Sequence, residues 1–118
     1  MRRKAGTLIP IEEQILEAGL SLRQRGVPHF HGFLIAKEIK EGVGARRLTG
    51  QGTLYKALDR LEKAGLLRSH WEDPQVAGEE YRPRRRLYEV TPQGEYALTE
   101  AASARQPHAP LRLVLDNE

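Results

Sequence analysis

Cysteine and long apolar runs are both missing from this sequence of 118 residues. Without cysteine the chain forms no disulfide and offers no thiolate to a metal, a composition that suits the cytoplasm. No apolar run approaches the roughly 18–20 residues that cross a bilayer. The basic residues 1–4 are followed by Glu12 and Glu13 before any continuous apolar segment of the kind a signal peptide needs. We therefore expect a cytoplasmic protein without a membrane partner.

Motifs of catalysis and metal binding are scarce as well. The sequence has no phosphate-cradling glycine loop, and none of its serines stands in a nucleophile-elbow context. His29 and His31 are two residues apart. Ordinary surface histidines explain this pair better than a metal site does, because no further ligand is fixed near them. We expect no catalytic activity, no metal and no cofactor.

Arginine, by contrast, is abundant and clustered. The chain has 14 arginines and 5 lysines, although its formal net charge is only +3. Arginine offers planar, bidentate contacts to phosphate and guanine, which favours a nucleic-acid partner. Solvated protein surfaces carry such clusters too, so their position in the fold decides between the two interpretations. The clusters are Arg2, Arg3 and Lys4, then Arg46 and Arg47, and then Arg82, Arg84, Arg85 and Arg86.

Hydrophobic periodicity and turn residues predict the order helix, helix, helix, strand, long loop, strand, helix. The first three helices cover residues 10–25, 32–41 and 51–64, and the strands cover 66–72 and 84–90 with a loop over 73–83. The last helix begins at Thr91-Pro92 and ends near residue 105. This is an α+β, mainly helical winged helix-turn-helix with a two-stranded wing and a C-terminal helix. We expect one winged-helix domain over residues 1–106 and a tail over 107–118.

The third predicted helix has an apolar stripe and a polar front. Thr49 is the expected N-cap and Gly65 the expected C-cap. A helix of this kind fits the major groove of B-DNA, where its exposed side chains face base edges. An ordinary surface helix with solvated charges is the alternative. The stripe is Leu54, Ala57, Leu58 and Leu61. The candidate DNA-reading residues are Gln51, Thr53, Tyr55, Lys56 and Arg60, with Arg46 and Arg47 in the preceding connection.

The last arginine cluster lies at the foot of the predicted wing. Like charges on neighbouring residues repel, and DNA phosphates would offset that repulsion or accept arginines in the minor groove. The alternative is that Glu79 and Glu80 neutralise some of these arginines. We interpret Trp71 as packing within the core and wing. The predicted phosphate-binding residues, which do not read sequence, are Arg82, Arg84, Arg85 and Arg86.

Several short motifs, in this order and spacing, resemble the PadR-type transcriptional regulators. The segment Gly52-Thr53-Leu54-Tyr55, with Leu58, Leu61-Glu62 and Gly65-Leu66 after it, is similar to the recognition helix of that family. Residues 85–94, with Leu98 after them, are similar to its basic, tyrosine and threonine-proline stretch. The resemblance also includes His31-Gly32-Phe33, Ile35-Ala36 and Trp71, and extends over about residues 11–100.

The resemblance implies a repressor that binds a palindromic operator on double-stranded DNA as a homodimer and is often released by a small-molecule effector. It places Thr53, Tyr55 and Lys56 at the DNA, and it implies that Tyr88 and Trp71 stabilise the wing. The family usually dimerises through a long C-terminal helix, which Pro107 ends early here. We therefore expect the first helix and residues 111–115 to contribute to the dimer. The alternative function is a winged-helix protein-interaction module without sequence-specific DNA binding.

Overall fold

The computed structural model describes residues 8–42 and 51–105, with the side chains of residues 51, 52 and 105 excepted. Its order of elements confirms the predicted fold class. The helices of the domain body are α1 (Pro10–Gln24), α2 (Gly32–Gly42), α3 (Gln51–Lys63) and α5 (Pro92–Arg105). The wing consists of β1 (Leu67–Trp71), a short helix α4 (Pro74–Glu79) and β2 (Arg86–Val90).

The two strands form an antiparallel sheet in a register that runs from Leu67 opposite Val90 to Trp71 opposite Arg86. A third segment joins the other edge of β2, because Phe30 exchanges two backbone hydrogen bonds with Tyr88. The rings of Phe30 and Tyr88 also stack, with centroids 6.1 Å apart. The wing is thereby attached to the chain between α1 and α2, a contact that the sequence analysis did not predict.

The core lies where α1, α2 and α3 meet the base of the wing. Apolar residues at helical spacing provide it, as the stripe on the third helix predicted. Its fully buried members come from four different elements and from the segment before α2. They include Ile15, Leu16, Phe30, Ile35, Ala57, Leu58, Leu61 and Leu67.

The segment predicted as a long loop over residues 73–83 contains α4, so that prediction was wrong. The Asp73-Pro74 pair was interpreted as a turn signal. In the structure the Asp73 side chain accepts a hydrogen bond from the backbone of Gln75 at 2.9 Å. Pro74 occupies the first helical position, where its missing N–H costs nothing. The helix ends at Glu79, and Tyr81, two residues later, has a left-handed φ of 54°.

A compact junction connects α3 to β1 and β2 to α5. Gly65 follows α3 with φ of 81°, as its predicted C-cap role requires. The Thr91 hydroxyl donates to the Gly65 carbonyl at 2.7 Å and accepts from the Gly94 backbone at 3.1 Å. Thr91 is therefore the N-cap of α5, which confirms its predicted role. Gly94 lies directly against the Leu66 carbonyl.

Some predictions concern residues outside the described ranges. These are the Thr49 N-cap, the DNA contacts of Arg46 and Arg47, and the residue 107–118 tail with its apolar stretch. Among the residues described, no helix is long and apolar enough to cross a membrane.

Candidate nucleic-acid interface

Helix α3 has the two faces that the sequence predicted. Leu54, Ala57, Leu58 and Leu61 are buried against the other helices and β1. Thr53, Tyr55 and Lys56 are exposed on the other side of the helix. The side chain of Gln51 lies outside the described set. The first turns of α3 thus present hydroxyl and ammonium groups to solvent, and these groups can bond to base edges and phosphates.

Tyr55 is exposed on one side only, because its ring packs against the first residue of α2. A Cβ atom built at Gly32 would come within 2.1 Å of the Tyr55 hydroxyl oxygen. Glycine at this position leaves the space that the phenol occupies. The side chain of Tyr55 is therefore held between the two helices of the helix-turn-helix, with 45% of the residue exposed.

Arg60 lies farther along α3 and contacts a buried carboxylate. Its Nε donates to Glu12 Oε2 at 2.8 Å, and Glu12 is only 2% exposed. The other oxygen of Glu12 accepts from the backbone N–H of Ile9 at 3.1 Å, at the start of α1. Arg60 thus links α3 to α1 in the absence of DNA. This contact orients α3, and it competes with the predicted contact of Arg60 to DNA.

The wing separates the arginine cluster into two groups. The guanidinium carbons of Arg84 and Arg86 lie 5.5 Å and 5.1 Å from the centroid of the Trp71 ring. Trp71 was predicted to pack within the core and the wing. It is 54% exposed, so the core part of that prediction was wrong, while its contacts lie within the wing. It occupies the last position of β1, opposite Arg86. An aromatic ring there contacts cations from the neighbouring strand instead of core side chains.

Glu62 connects this first group to α3. Its carboxylate accepts a hydrogen bond from the Ser69 hydroxyl at 2.6 Å and lies 3.7 Å from the guanidinium of Arg86. Glu62 belongs to α3, Ser69 to β1 and Arg86 to β2. Arg84, Trp71 and Arg86 therefore lie on the side of the wing that faces α3.

Arg82 is engaged differently. Its two terminal nitrogens donate to the two carboxylate oxygens of Glu72 at 2.6 and 2.8 Å, and its Nε donates to Glu80 at 2.8 Å. Its side chain is only 17% exposed. Pairing of a wing arginine with Glu80 was the alternative interpretation of the cluster, and it describes Arg82 in this structure. The sequence analysis did not identify Glu72 as a partner.

Arg85 lies on the same side as this ion pair, close to the start of α2. Its backbone N–H donates to Glu72 at 3.3 Å. Burial, and then the positive charges of Arg85 and Arg82, lower the pKa of His31. The Nδ1 of His31 accepts from the backbone of Leu34 at 3.3 Å, which requires the neutral ring. His31 therefore caps α2.

The ion pair that closes the wing predicts an acid-dependent loss of stability. The hydrogen bond from Arg82 lowers the pKa of Glu72 to about 2. In the unfolded chain this carboxyl titrates near its ordinary value of 4.5. The pair thus stabilises the fold fully above about pH 4.5, and its contribution falls as the pH drops to about 2. We expect the difference in melting temperature between the wild type and Glu72→Gln to be largest near neutral pH and to shrink over this range.

Glu79→Gln provides the control, because Glu79 is an exposed carboxylate of the same wing. Among the described residues its side chain accepts only a long hydrogen bond, 3.5 Å, from Gln75. Its melting temperature should follow the wild type at every pH. A constant offset for Glu72→Gln between pH 7 and pH 2 would contradict the role of the ion pair.

Three carboxylates of this region were not predicted from the sequence. Glu12, Glu62 and Glu72 each accept a bond from a cation or hydroxyl of another element. In the sequence, Glu62 stood out only as part of the motif that resembles the PadR recognition helix. A carboxylate at an otherwise apolar helix position, as Glu12 is beside Ile11, was the available signal for a buried partner. No comparable signal marked Glu72, which looks like an ordinary exposed strand residue.

An exposed polar face on the third helix, beside a wing that carries arginines, defines a winged-helix protein of the DNA-binding class. A family model described as the transcriptional regulator PadR-like family matches residues 22–100. The chain therefore belongs to the PadR-like family of transcriptional regulators. Such regulators are generally not enzymes. Comparison with curated proteins gives no match.

Solved structures agree with this assignment. A transcriptional regulator from Clostridium thermocellum is 22% identical with a TM-score of 0.61, covering 89% of this chain and 92% of its own. A PadR family transcription regulator from Clostridium difficile is 24% identical with a TM-score of 0.59, covering 84% and 86%. A PadR family regulator from Eggerthella lenta is 24% identical with a TM-score of 0.57, covering 82% and 78%. At these identities the likeness shows the fold.

Proposed function

We propose that this regulator is a sequence-specific repressor that binds double-stranded DNA as a homodimer on a palindromic operator. One observation carries the proposal. Glu62 joins α3, which carries the exposed candidate base-reading residues, to Arg86 of β2. Arg84 lies with Arg86 at the Trp71 ring, so base-reading and phosphate-binding groups are on connected surfaces. A helix in the major groove and a wing on the flanking backbone require that combination.

The proposed roles differ along this surface. Thr53, Tyr55 and Lys56 read bases, with Gln51, Arg46 and Arg47 assigned to the same task or to phosphates on the sequence alone. Arg84 and Arg86 bind phosphates without regard to sequence. Arg82 acts mainly on the wing itself, since Glu72 and Glu80 occupy its donors. Arg85 binds phosphate at the junction of the wing and α2, and Arg60 holds α3 on α1 and reaches DNA only secondarily.

Dimerisation and release by a small-molecule effector are proposed from the family resemblance. A two-fold dimer places its recognition helices on successive major grooves, about 34 Å apart. A regulator of this kind acts where the chromosomal DNA is, which makes the cytoplasm its proposed location.

Selection of bound fragments from a random duplex pool tests the proposal. We expect an enriched palindrome whose half-sites are about one helical turn apart. Binding to the selected duplex should weaken steeply with salt, with a log–log slope of about −0.9 for each phosphate contact. Absence of binding at low salt, or binding that salt leaves unchanged, would indicate the protein-interaction module instead.

Exchanging single residues on α3 should change sequence preference. For Lys56→Ala or Tyr55→Ala we expect the ratio of selected to random duplex affinity to fall about tenfold, because a lost base contact costs about 1–3 kcal/mol. Affinity for random duplex should change much less. Competition of the two duplexes against a labelled operator measures the ratio. Lys63→Ala is the matched control, since Lys63 is exposed at the end of α3 and pairs with Asp59 at 3.0 Å.

Equal losses on both duplexes for the Lys56 and Tyr55 variants would show that α3 does not read the sequence. A loss of preference in Lys63→Ala as large as in Lys56→Ala would place the reading face elsewhere on the helix.

A further inference from the structure

Trp71 is the unusual residue of the wing. It is the only tryptophan in the sequence, and more than half of it is exposed at the end of β1. Arg86 is its direct neighbour across the sheet, and Arg84 is two residues from Arg86. The guanidinium groups of both arginines lie within 5.5 Å of the ring centroid. The indole therefore contacts the two arginines that lie on the α3 side of the wing.

The type of contact determines whether the N–H donors of an arginine stay available to a ligand. A guanidinium over an aromatic ring interacts through its positive charge and its flat face. Its five N–H donors point outward in the plane of the group and remain available. A carboxylate partner has the opposite effect, as Arg82 shows, because Glu72 and Glu80 accept from its donors. The ring restricts Arg84 and Arg86 and leaves their charge in place. The Glu62 carboxylate lies 3.7 Å from Arg86, beyond hydrogen-bond distance, so it does not occupy the donors of Arg86 as Glu72 occupies those of Arg82.

Restriction before binding matters because long side chains lose conformational freedom when they bind. Part of that loss is avoided when the free protein already limits their rotamers. Arg86 is limited twice, by Trp71 at 5.1 Å and by Glu62 at 3.7 Å. Among the interactions described for this part of the chain, Arg84 is limited only by the Trp71 ring.

We infer that Trp71 is the positioning residue of the wing, which holds Arg84 and Arg86 in place for DNA phosphates. The inference rests on the proposed function, since phosphates are the ligands of these arginines. It assigns to Trp71 a role in affinity for any duplex and none in the choice of sequence.

Two replacements of Trp71 distinguish the effect of its aromatic face from the effect of its apolar volume. Trp71→Leu keeps an apolar side chain without a π-face, and Trp71→Phe keeps a smaller π-face. For Trp71→Leu we expect about a fivefold loss of affinity, equal on random and selected duplexes, with the melting temperature close to the wild type. Trp71→Phe should retain most of the affinity. Wild-type affinity in Trp71→Leu, or equal losses in both variants, would overturn the inference.

Adding Trp71→Leu to the double variant Arg84→Gln/Arg86→Gln tests whether the ring acts through the arginines. We expect no further loss of affinity, because the groups that the ring positions are already gone. A second fivefold loss in the triple variant would show that Trp71 contacts DNA directly, and it would overturn the positioning role.

Fluorescence of the single tryptophan tests the contact in the absence of DNA. Guanidinium groups over the ring shield it, so acrylamide should quench the Arg84→Gln/Arg86→Gln variant more strongly than the wild type. Equal quenching would overturn the inference. Stronger quenching of the variant, together with a wild type that binds no duplex at low salt, would instead overturn the proposed function while leaving the arginine–indole contact in place.

Discussion

Changing Arg84 and Arg86 together to glutamine should weaken binding to every duplex by roughly 60-fold at about 0.1 M salt. Each phosphate contact contributes about 0.9 to the slope of log affinity against log salt concentration, so two contacts contribute about 1.8. Between about 1 M and about 0.1 M salt, that slope amounts to a roughly 60-fold gain in affinity, which the variant loses. Glutamine keeps a polar side chain but removes the charge. Fluorescence anisotropy on random and selected duplexes, at several salt concentrations, measures both the affinity and the slope.

Arg68→Gln is the matched control for this variant. Arg68 is an exposed arginine of β1 whose guanidinium donates to Glu89 at 2.7 Å on the neighbouring strand. The same charge is removed from the same sheet, yet we expect little change in the slope. A loss for Arg68→Gln as large as that for one of the two wing arginines would show that net charge, and not position, determines affinity. Loss confined to the selected duplex would assign base reading to the wing.

Replacing Gly94 with alanine should destabilise the fold by about 3 kcal/mol, at the upper end of what overpacking usually costs. A Cβ atom at this position would lie 2.3 Å from the Leu66 carbonyl oxygen and 2.9 Å from a Val90 methyl group. The carbonyl belongs to the backbone and accepts the N–H of Thr91, so it cannot move aside without disturbing the junction. Calorimetry should show a melting temperature roughly 12–18 °C lower.

Gly78→Ala is the corresponding control. Gly78 lies in α4, and a Cβ atom there would meet nothing within 4 Å. Alanine favours helix over glycine by about 1 kcal/mol, so this variant should be as stable as the wild type or slightly more stable. A Gly94→Ala protein that melts within a few degrees of the wild type would mean that α5 can move away from the wing at little cost.

The sequence predicted most of the fold because the signals that define its elements are local. The stripe of Leu54, Ala57, Leu58 and Leu61 repeats with the period of a helix, and it packs inward as expected. Thr91-Pro92 predicts a helix start because the cap and the proline act within one turn. The exposure of Thr53, Tyr55 and Lys56 follows from the same periodicity. Binary patterning therefore defined the exposed polar face of α3.

The wrong predictions concern the wing, where the same local sequence signal is compatible with two different structures. Asp73-Pro74 is equally suited to a turn and to a helix start, and the structure contains the helix α4. Trp71 was predicted to pack within the core and the wing, and only its contacts within the wing are found. Its burial depends on whether another element covers the end of β1, and no periodicity in the sequence shows this.

The sequence by itself determined the order of elements, the apolar and polar faces of α3 and the presence of an arginine cluster. Only the tertiary structure decided which arginines are available. Arg82 and Arg84 are two residues apart, yet one is held by Glu72 and Glu80 while the other lies over the ring of Trp71. The physical reason is that hairpin pairing and α4 decide which carboxylates and rings come within reach of each guanidinium, and those partners lie on other parts of the chain.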